Sequence, residues 1–250
     1  MGNNLIQYIF GIADNSLILG QRLGELCGHG PSHETDIALT NISLELFGQV
    51  RSYFQYAAEI QGGNSTEDTL AFLRKEQEYR NVLLVEQPNT DFAYVIARQF
   101  LFDVYHQLFL DKLQFSKDQT LAAIAKKSLK EVTYHVRFSS DWIIRLGDGT
   151  SESHERISNA ISDLWIFTEE LFSNTEVDKE MVSQGIGVDL ATLRDAYFNT
   201  VNSVLNEATI SIPDVKYFQK GGKLGKHTEH MGYILTEMQY MQRTFPNMTW

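Results

Sequence analysis

The chain has 250 residues, 32 acidic and 21 basic side chains, and a formal net charge of −11. Its length allows one large domain or two small ones, and 43% hydrophobic residues can form a core without disulfides. A single cysteine, Cys27, excludes an intrachain disulfide and a cysteine-based zinc cluster. The acid excess disfavours nucleic acid as a partner. Neither a signal peptide nor an apolar run long enough for a membrane span is found, so we expect a cytoplasmic protein without membrane contact.

Long helices account for most of the chain. The four prolines fall between periodic stretches and leave the helix interiors free, and no hairpin signal or sustained two-residue alternation supports strands. Residues 64–89 are polar and mixed, and form a connection with two short helical turns. We therefore predict an all-α protein with helices over residues 4–27, 34–60, 92–113, 121–146, 151–172, 190–206 and 228–244.

The order of these helices predicts a ferritin-like four-helix bundle with additional C-terminal helices. The first two helices form one hairpin, and the next two form another after a longer crossover, which is typical of that bundle. We predict a single ferritin-like domain with its core bundle over about 4–147 and peripheral helices over about 151–250. A globin-like or repeat array is the structural alternative, although no fixed-period repeat is present.

Polar side chains recur on helix faces where a bundle core is expected. The second helix is apolar nearly all round, which predicts a central position, yet one stripe carries Asn41, Glu45, Gly48, Gln49 and Ser52. The same feature recurs in the other bundle helices, at Asp14, at Asp103 with His106, and at Glu131 with His135. A buried carboxylate is costly unless it is paired or bound to metal. Ordinary core polar groups satisfied by hydrogen bonds are the alternative for each residue taken alone.

These positions fit a di-iron bundle that has lost its metal site. Di-iron carboxylate bundles use Glu-x-x-His on two helices, since a spacing of three places both side chains on one face. Here Glu45 is followed by Gly48 where histidine would stand, and His135 is preceded by Val132 where glutamate would stand. We predict no catalytic or metal-binding residue in this chain, with Asp14, Glu45, Asp103 and His135 as vestigial positions.

Two other short features support function only weakly. Cys27 beside Gly28 lacks the rest of a nucleophilic apparatus and is expected to be a small buried hydrophobe. The glycine- and lysine-rich segment 221–226 lacks the spacing of a phosphate-binding loop and is expected to be a flexible turn.

Several long segments resemble one family over nearly the whole chain. The chain is similar to the C-subunit family of ring-1,2-phenylacetyl-CoA epoxidase, the multicomponent oxygenase of aerobic phenylacetate degradation. The segments that carry the resemblance are DNSLILGQRLGELCGHG (14–30), DTLAF (68–72), LLVEQPN (83–89), KEVTYHVRFSSDW (130–142), LNEATI (205–210) and GKHTEHMGYILTEMQYMQR (225–243).

The resemblance implies a non-catalytic, ferritin-like structural subunit that binds and stabilises a catalytic A subunit. It implies no cofactor in this chain and a di-iron centre in the A subunit. The reaction implied for the complex inserts one oxygen of O₂ into the aromatic ring of phenylacetyl-CoA, with electrons from a separate reductase. The broken Glu-x-x-His pattern agrees with this reading.

A contact with the CoA part of the substrate is a second expectation. CoA phosphates need cations, which are scarce in this acidic chain. The segment 74–81 combines cations with a tyrosine that could stack on adenine. The resemblance makes the stretch 78–81 the first candidate for the CoA contact. The candidate substrate-binding residues are Glu78, Tyr79, Arg80, Asn81 and Lys179. A solvated loop with local ion pairs is the alternative.

Two other functional classes stay open. One is an autonomous ferritin-like oxidase or metal-storage protein, with a non-standard site built from Asp14, Glu45, Asp103, Glu131 and His135. The other is a generic helical adaptor, which fits the composition but leaves the inner polar stripes unexplained.

Overall fold

The computed structural model describes residues 2–246 and 248, and every regular element in that part of the chain is a helix. This confirms the all-α prediction. None of these helices is long and apolar enough to span a membrane. The α-helices are α1 (Gly2–Gly24), α2 (His33–Gln61), α3 (Glu67–Phe72), α4 (Phe92–Leu113), α5 (Gln119–Gly147), α6 (Ser151–Trp165), α7 (Glu176–Ser183), α8 (Arg194–Glu207) and α9 (Glu229–Thr244).

Short 3₁₀ helices complete the secondary structure of the described residues and explain most differences from the prediction. The predicted helix 151–172 ends at Trp165, and its last part is a separate 3₁₀ helix, as is the start of the predicted helix 190–206. Helix α7 lies in a stretch for which no helix was predicted. The 3₁₀ helices are Glu76–Glu78, Leu83–Glu86, Thr168–Phe172, Leu190–Leu193 and Gly222–Leu224.

Helix starts are set by side chains that cap free backbone N–H groups. Ser32, Asp91 and Asp118 each accept a hydrogen bond from the backbone N–H three residues later, at the starts of α2, α4 and α5. Thr150 and Thr175 do the same in capping boxes before α6 and α7. Helices α2, α4 and α5 therefore begin within two residues of their predicted starts.

Contacts within the chain define two compact units. Unit 1 consists of Met1–Glu86 with Gly221–Trp250, and unit 2 consists of Gln87–Lys220. Unit 1 contains α1, α2, α3 and α9, and unit 2 contains α4 to α8. The prediction of one continuous ferritin-like domain stays a prediction.

Unit 1 is built on the close pair α1 and α2. The middle of α1 is almost wholly buried, and the Ser43 hydroxyl of α2 donates to the Gly20 carbonyl at 2.8 Å. A Cβ at Gly20 would lie only 2.8 Å from the Phe47 ring, so this glycine permits the close approach of the helices. The turn between them closes when Asp36 accepts backbone N–H groups of Gly28 and Gly30 at 2.9 and 3.0 Å.

The predicted central position of α2 is wrong. Ile37 is 47% exposed and Leu44 is 61% exposed, and Asn41 and Gly48 are exposed as well. A helix with apolar residues on all sides can pack more than one face against a neighbouring helix. Here α1 covers the face that holds Leu39, Ile42 and Leu46. The prediction that Cys27 is buried is also wrong, because its thiol lies in the exposed turn after α1.

Unit 2 is built on the pair α4 and α5. Helix α4 is buried around most of its circumference, whereas α5 buries one narrow stripe of residues spaced three or four apart. Helix α8 is fixed to α4 by the Tyr197 hydroxyl, which donates to the Leu101 carbonyl at 3.1 Å. Phe172 packs against Tyr197 and Phe198, with ring centroids 5.0 and 5.7 Å away.

Candidate functional site

Asp14, a predicted vestigial metal position, is buried in unit 1 against an arginine. Arg74 Nη1 donates to Asp14 Oδ2 at 2.9 Å, and Nη2 donates to Oδ1. The backbone N–H of Arg80 donates to the same carboxylate at 2.8 Å. Asp14 is fully buried and Arg74 is 7% exposed, so this is a buried, two-pronged ion pair. The positive charge that balances Asp14 is therefore supplied by the chain itself.

The arginine that neutralises Asp14 is enclosed by rings and carbonyls. Its guanidinium carbon lies 4.1 Å from the Tyr79 ring centre, 4.4 Å from that of Phe10 and 5.2 Å from that of Phe54. Nε donates to the Leu70 carbonyl at 2.5 Å. Burial alone would lower the pKa of Arg74, but the charge and hydrogen bonds of Asp14 raise it above its ordinary value. The guanidinium is therefore firmly charged.

Asp103, the vestigial position on α4 of unit 2, lies in a different environment. It is fully buried, Gln99 Nε2 donates to its Oδ1 at 2.6 Å, and Ser139 Oγ lies 2.9 Å from Oδ2. Burial raises the pKa of Asp103 well above its ordinary value, against these two hydrogen bonds, which lower it. Burial therefore favours the protonated form of this carboxyl group.

The hydroxyl of Ser139 fits a protonated Asp103. Ser139 Oγ also lies 2.9 Å from the carbonyl oxygen of His135, and one hydroxyl proton can serve only one of the two acceptors. A protonated Asp103 would donate to Ser139 and leave the Ser139 hydroxyl to donate to the His135 carbonyl, while Gln99 donates to the other carboxyl oxygen. Asp103 is thereby satisfied without a cation.

Two histidines of unit 2, His106 and His135, are also buried. His135 is fully buried on α5, as is Val132, which stands where a glutamate ligand would be needed. Burial, and to a smaller extent the nearby His135, lower the pKa of His106 to about 3. His106 is therefore neutral at physiological pH. These features belong to a packed helix interface in which polar groups are held in their uncharged forms.

The described residues of each unit contain no group of three His, Cys, Asp or Glu side chains that could hold a metal ion. Glu45 is half-buried on α2, between the exposed Asn41 and Gly48. The predicted inner stripe of α2 is therefore wrong in these positions, and only Gln49 of that stripe is buried. A di-iron centre does not fit the donors that either unit presents.

The candidate CoA-binding segment lies directly beside the Asp14–Arg74 pair in unit 1. Glu78 is exposed and its carbonyl accepts from Arg74 Nη1 at 3.1 Å, while the Arg80 side chain is half-buried. Arg80 Nη1 donates to the carbonyls of Gln77 and Tyr79 at 2.6 and 2.8 Å. Contacts between the segments 14–30 and 74–81 thus connect two features that the sequence analysis treated separately.

Tyr79 and Asn81 of the same segment are fully buried. The Tyr79 hydroxyl donates to the Ala71 carbonyl at 2.7 Å and accepts from Gln239 Nε2 at 2.9 Å. Burial raises the pKa of Tyr79 to about 12. Stacking of this ring on adenine would require it to leave its place under Arg74, so Glu78 and Arg80 offer the accessible part of the predicted segment.

Lys179, the remaining candidate, lies on α7 in unit 2. Its side chain is exposed, and Nζ pairs with Glu176 at 2.7 Å. An exposed pair of this kind contributes little to stability, so the ammonium is available to exchange partners.

Comparison with known proteins assigns the chain to a family. The family model described as "Phenylacetic acid catabolic protein" matches residues 2–250. The chain belongs to this family. It is 49% identical to the C subunit of the 1,2-phenylacetyl-CoA epoxidase of Escherichia coli (strain K12), over 99% of this chain and 100% of that protein. The resemblance noted in the sequence is confirmed, and the family match and all-helical structure agree with the predicted ferritin-like class.

One feature of unit 1 was missed by the sequence analysis. Glu86 is fully buried, and its carboxylate accepts from His227 Nδ1 at 3.0 Å and from the Thr228 backbone N–H at 2.7 Å. Arg22 donates twice to the Glu86 carbonyl, at 2.8 and 3.2 Å. The pair connects the segment LLVEQPN with the C-terminal part of unit 1. A charged residue directly after the apolar run 83–85 was the available signal.

Proposed function

We propose that this chain is the C-type subunit of a phenylacetyl-CoA epoxidase complex and docks a catalytic subunit without performing the reaction itself. The full-length likeness to the C subunit of the Escherichia coli epoxidase carries this proposal. The oxygen-inserting di-iron centre of the complex would lie in the catalytic A subunit. This chain would need no cofactor of its own and would act in the cytoplasm.

The buried carboxylates support a non-catalytic role. A metal site needs several deprotonated ligands that are free to coordinate. Asp14 is instead neutralised by Arg74, and burial favours the protonated form of Asp103 beside Ser139. The ion pair at Asp14 and the proton on Asp103 would balance the buried negative charge, as metal ions do in a di-iron bundle. The chain would contribute binding surface and a stable scaffold to the complex.

Co-expression with the catalytic subunit of the same complex tests the proposal. We expect the two chains to co-elute on size exclusion, iron to accompany the catalytic subunit, and product formation to require both chains. Failure of the two chains to co-elute would overturn the docking role. Product formed by this chain alone, with reductase supplied, would overturn its non-catalytic role.

The alternative, an autonomous ferritin-like oxidase, predicts near-stoichiometric iron in the isolated chain. Metal analysis after loading with ferrous iron separates the two functions. Asp14→Asn and Asp103→Asn serve as the diagnostic variants, and Asp141→Asn on the exposed face of α5 serves as the control. Iron that is bound by the wild type and lost only in the two diagnostic variants would support the alternative.

We also propose that the surface at Glu78 and Arg80 contacts the CoA part of the substrate. Arg80 supports this, because its half-buried cation contacts only backbone carbonyls and the Gln7 amide oxygen and has no acidic partner among the described residues. Lys179 on unit 2 is a separate candidate for the same kind of contact.

Charge reversal in the assembled complex tests the CoA contact. Arg80→Glu should raise KM for phenylacetyl-CoA roughly tenfold and leave kcat unchanged, which corresponds to about 1.4 kcal/mol of binding energy. Arg51→Glu, an exposed cation on α2 of the same unit, is the matched control and should leave KM unchanged. Lys179→Glu is measured in parallel. An unchanged KM in Arg80→Glu would show that Arg80 does not contact the CoA part of the substrate.

A further inference from the structure

Unit 2 has a groove of about 520 Å³ that none of the predicted sites includes. One wall comes from α8 and the other from the irregular segment 212–218 that follows it. Its apolar lining consists of Trp165, Phe198, Ile212, Pro213, Val215 and Phe218. Polar and charged residues complete the lining, and a concave surface that combines apolar residues with polar groups able to orient a ligand is a candidate binding site.

The apolar part of the groove is held in place by ring packing. Trp165 is almost fully buried and lies 5.9 Å from Phe198, measured between ring centroids. Phe198 also contacts Tyr197 edge to face, at 5.1 Å between centroids. By contrast, Ile212 on the opposite wall is 47% exposed. The groove is therefore preformed on one side and offers an uncovered aliphatic side chain on the other.

The charged part of the groove is mainly acidic. Glu169, Asp195 and Asp214 line it together with a single cation, Arg194. Arg194 is already paired with Glu169 at 2.5 Å. Asp195 and Asp214 are exposed, and neither forms an ion pair with any described residue. The net negative charge disfavours a phosphate-bearing ligand and favours a cation.

Arg194 shows how this groove accommodates a cation. Its guanidinium carbon lies 4.8 Å from the centre of the Phe198 ring while its Nη2 binds a carboxylate. Across the groove, Asp214 offers a second carboxylate beside apolar residues. In addition, the amide oxygen of Asn202 lines the groove, is buried, and has no hydrogen-bond partner among the described residues. An N–H donor from outside would satisfy it.

We propose that this groove receives a lysine or arginine side chain, flanked by apolar residues, from the catalytic subunit. The basic group would pair with Asp195 and Asp214, and the apolar neighbours would cover Ile212 and the Phe198 ring. Arginine and aromatic residues in desolvated pockets carry much of the binding energy of protein interfaces. This inference rests on the proposed function and locates one anchor point of the subunit interface.

Charge variants of the full chain test this inference in titrations with the catalytic subunit. Asp214→Lys should weaken the complex about tenfold or more, and Asp195→Asn should weaken it less, since it removes a charge without reversing it. Glu207→Lys, an exposed substitution on α8 outside the groove, is the matched control and should leave Kd unchanged. Melting temperatures of all variants establish that they fold.

Salt dependence provides a second measurement on the same complexes. Between roughly 50 and 300 mM NaCl, the affinity of the wild type should fall more steeply than that of Asp214→Lys. Salt screens the attraction between Asp214 and the basic group of the partner, and the variant lacks this attraction. If the wild type binds and Asp214→Lys has the same Kd and the same salt dependence, the groove is not an anchor point of the interface. That result would leave the proposed function intact. Absence of binding by the wild type would overturn both.

Discussion

Glu86 and His227 form a fully buried pair in which His227 Nδ1 lies 3.0 Å from Glu86 Oε2. The other ring nitrogen, Nε2, lies 3.3 Å from the Tyr79 carbonyl oxygen. Both nitrogens thus face acceptors, and only the protonated imidazole can donate to both. Burial lowers the pKa of His227, but the hydrogen bond and charge of Glu86 outweigh burial and raise it above its ordinary value.

We predict that this pair makes the stability of the chain depend on pH. A group whose pKa is raised on folding stabilises the protein fully below its unfolded pKa, about 6.5 for histidine, and loses that effect as pH rises through the folded value. His227→Gln should lower the free energy of unfolding by about 1.5–3 kcal/mol at pH 6. The difference should shrink as pH rises above 6.5.

Urea unfolding of both proteins at several pH values measures this difference. His29→Gln, in the exposed turn after α1, provides the control. A difference between wild type and His227→Gln that grows with pH would contradict the assignment of a protonated His227.

A second prediction concerns the buried pair of Asp14 and Arg74. Removal of one member leaves the other charge buried, which costs about 3–5 kcal/mol in comparable sites. Arg74→Met should therefore destabilise the wild type strongly and destabilise an Asp14→Asn background much less. The residual cost in that background reflects the lost hydrogen bonds to the carbonyls of Leu70 and Glu78.

A double-mutant cycle of these substitutions by urea unfolding gives the coupling energy. The exposed pair Arg156–Glu152 is the comparison and should couple by less than about 1 kcal/mol. If the Asp14 and Arg74 substitutions are additive within experimental error, the pair does not provide the charge balance that we ascribe to it.

Local signals in the sequence were sufficient for most helix positions. Helix α4 has the predicted bounds because Asp91 caps it, three residues after Pro88. Helix α7 escaped prediction although Thr175 and Asp178 form a readable capping box, because its eight residues bury only Met181 and show little periodicity. The family resemblance was readable as well, because its segments are spread along the chain.

The site environment could not be predicted from the sequence to the same extent. The partner of Asp14 lies 60 residues away and that of Glu86 lies 141 residues away, and neither separation leaves a local pattern. The polar stripe of α2 was predicted to face the core. Periodicity shows which residues share a helix face, but it does not show which face a neighbouring helix covers. Only the packing of α1 distinguishes them.

A third prediction follows from the raised pKa of Asp103. Its folded pKa lies well above the ordinary value, so its contribution is fully present below the unfolded pKa of about 3.9 and is lost as pH rises through the folded value. Asparagine resembles the protonated side chain in shape and stays neutral. Asp103→Asn should therefore match the wild type near pH 4 and become the more stable protein as pH rises.

Urea unfolding between about pH 4 and pH 8 tests this sign, within the range where the unfolded carboxyl group is ionised. The exposed Asp141→Asn should show no such trend. A wild type that gains stability over Asp103→Asn with rising pH would show that Asp103 is ionised in the folded protein.

The last prediction compares two helical glycines with opposite surroundings in unit 1. Gly20 of α1 would place a new Cβ 2.8 Å from the Phe47 ring, whereas Gly48 of α2 has open space within 4 Å of that position. Gly20→Ala should lower the free energy of unfolding by about 1–3 kcal/mol, because the ring must shift in a packed interface. Gly48→Ala should raise it by about 0.5–1 kcal/mol, since alanine restricts the unfolded chain and favours the helix.

Urea unfolding of the two alanine variants serves as the measurement, and each is the other's control because the chemical change is identical. Equal effects at the two positions would contradict the close approach of α1 and α2 at Gly20. Gly48 is also the position where a di-iron bundle would carry histidine. A stabilising alanine there would show that its side-chain position is free of structural constraint within this chain, which leaves the exposed face of α2 available for a partner subunit.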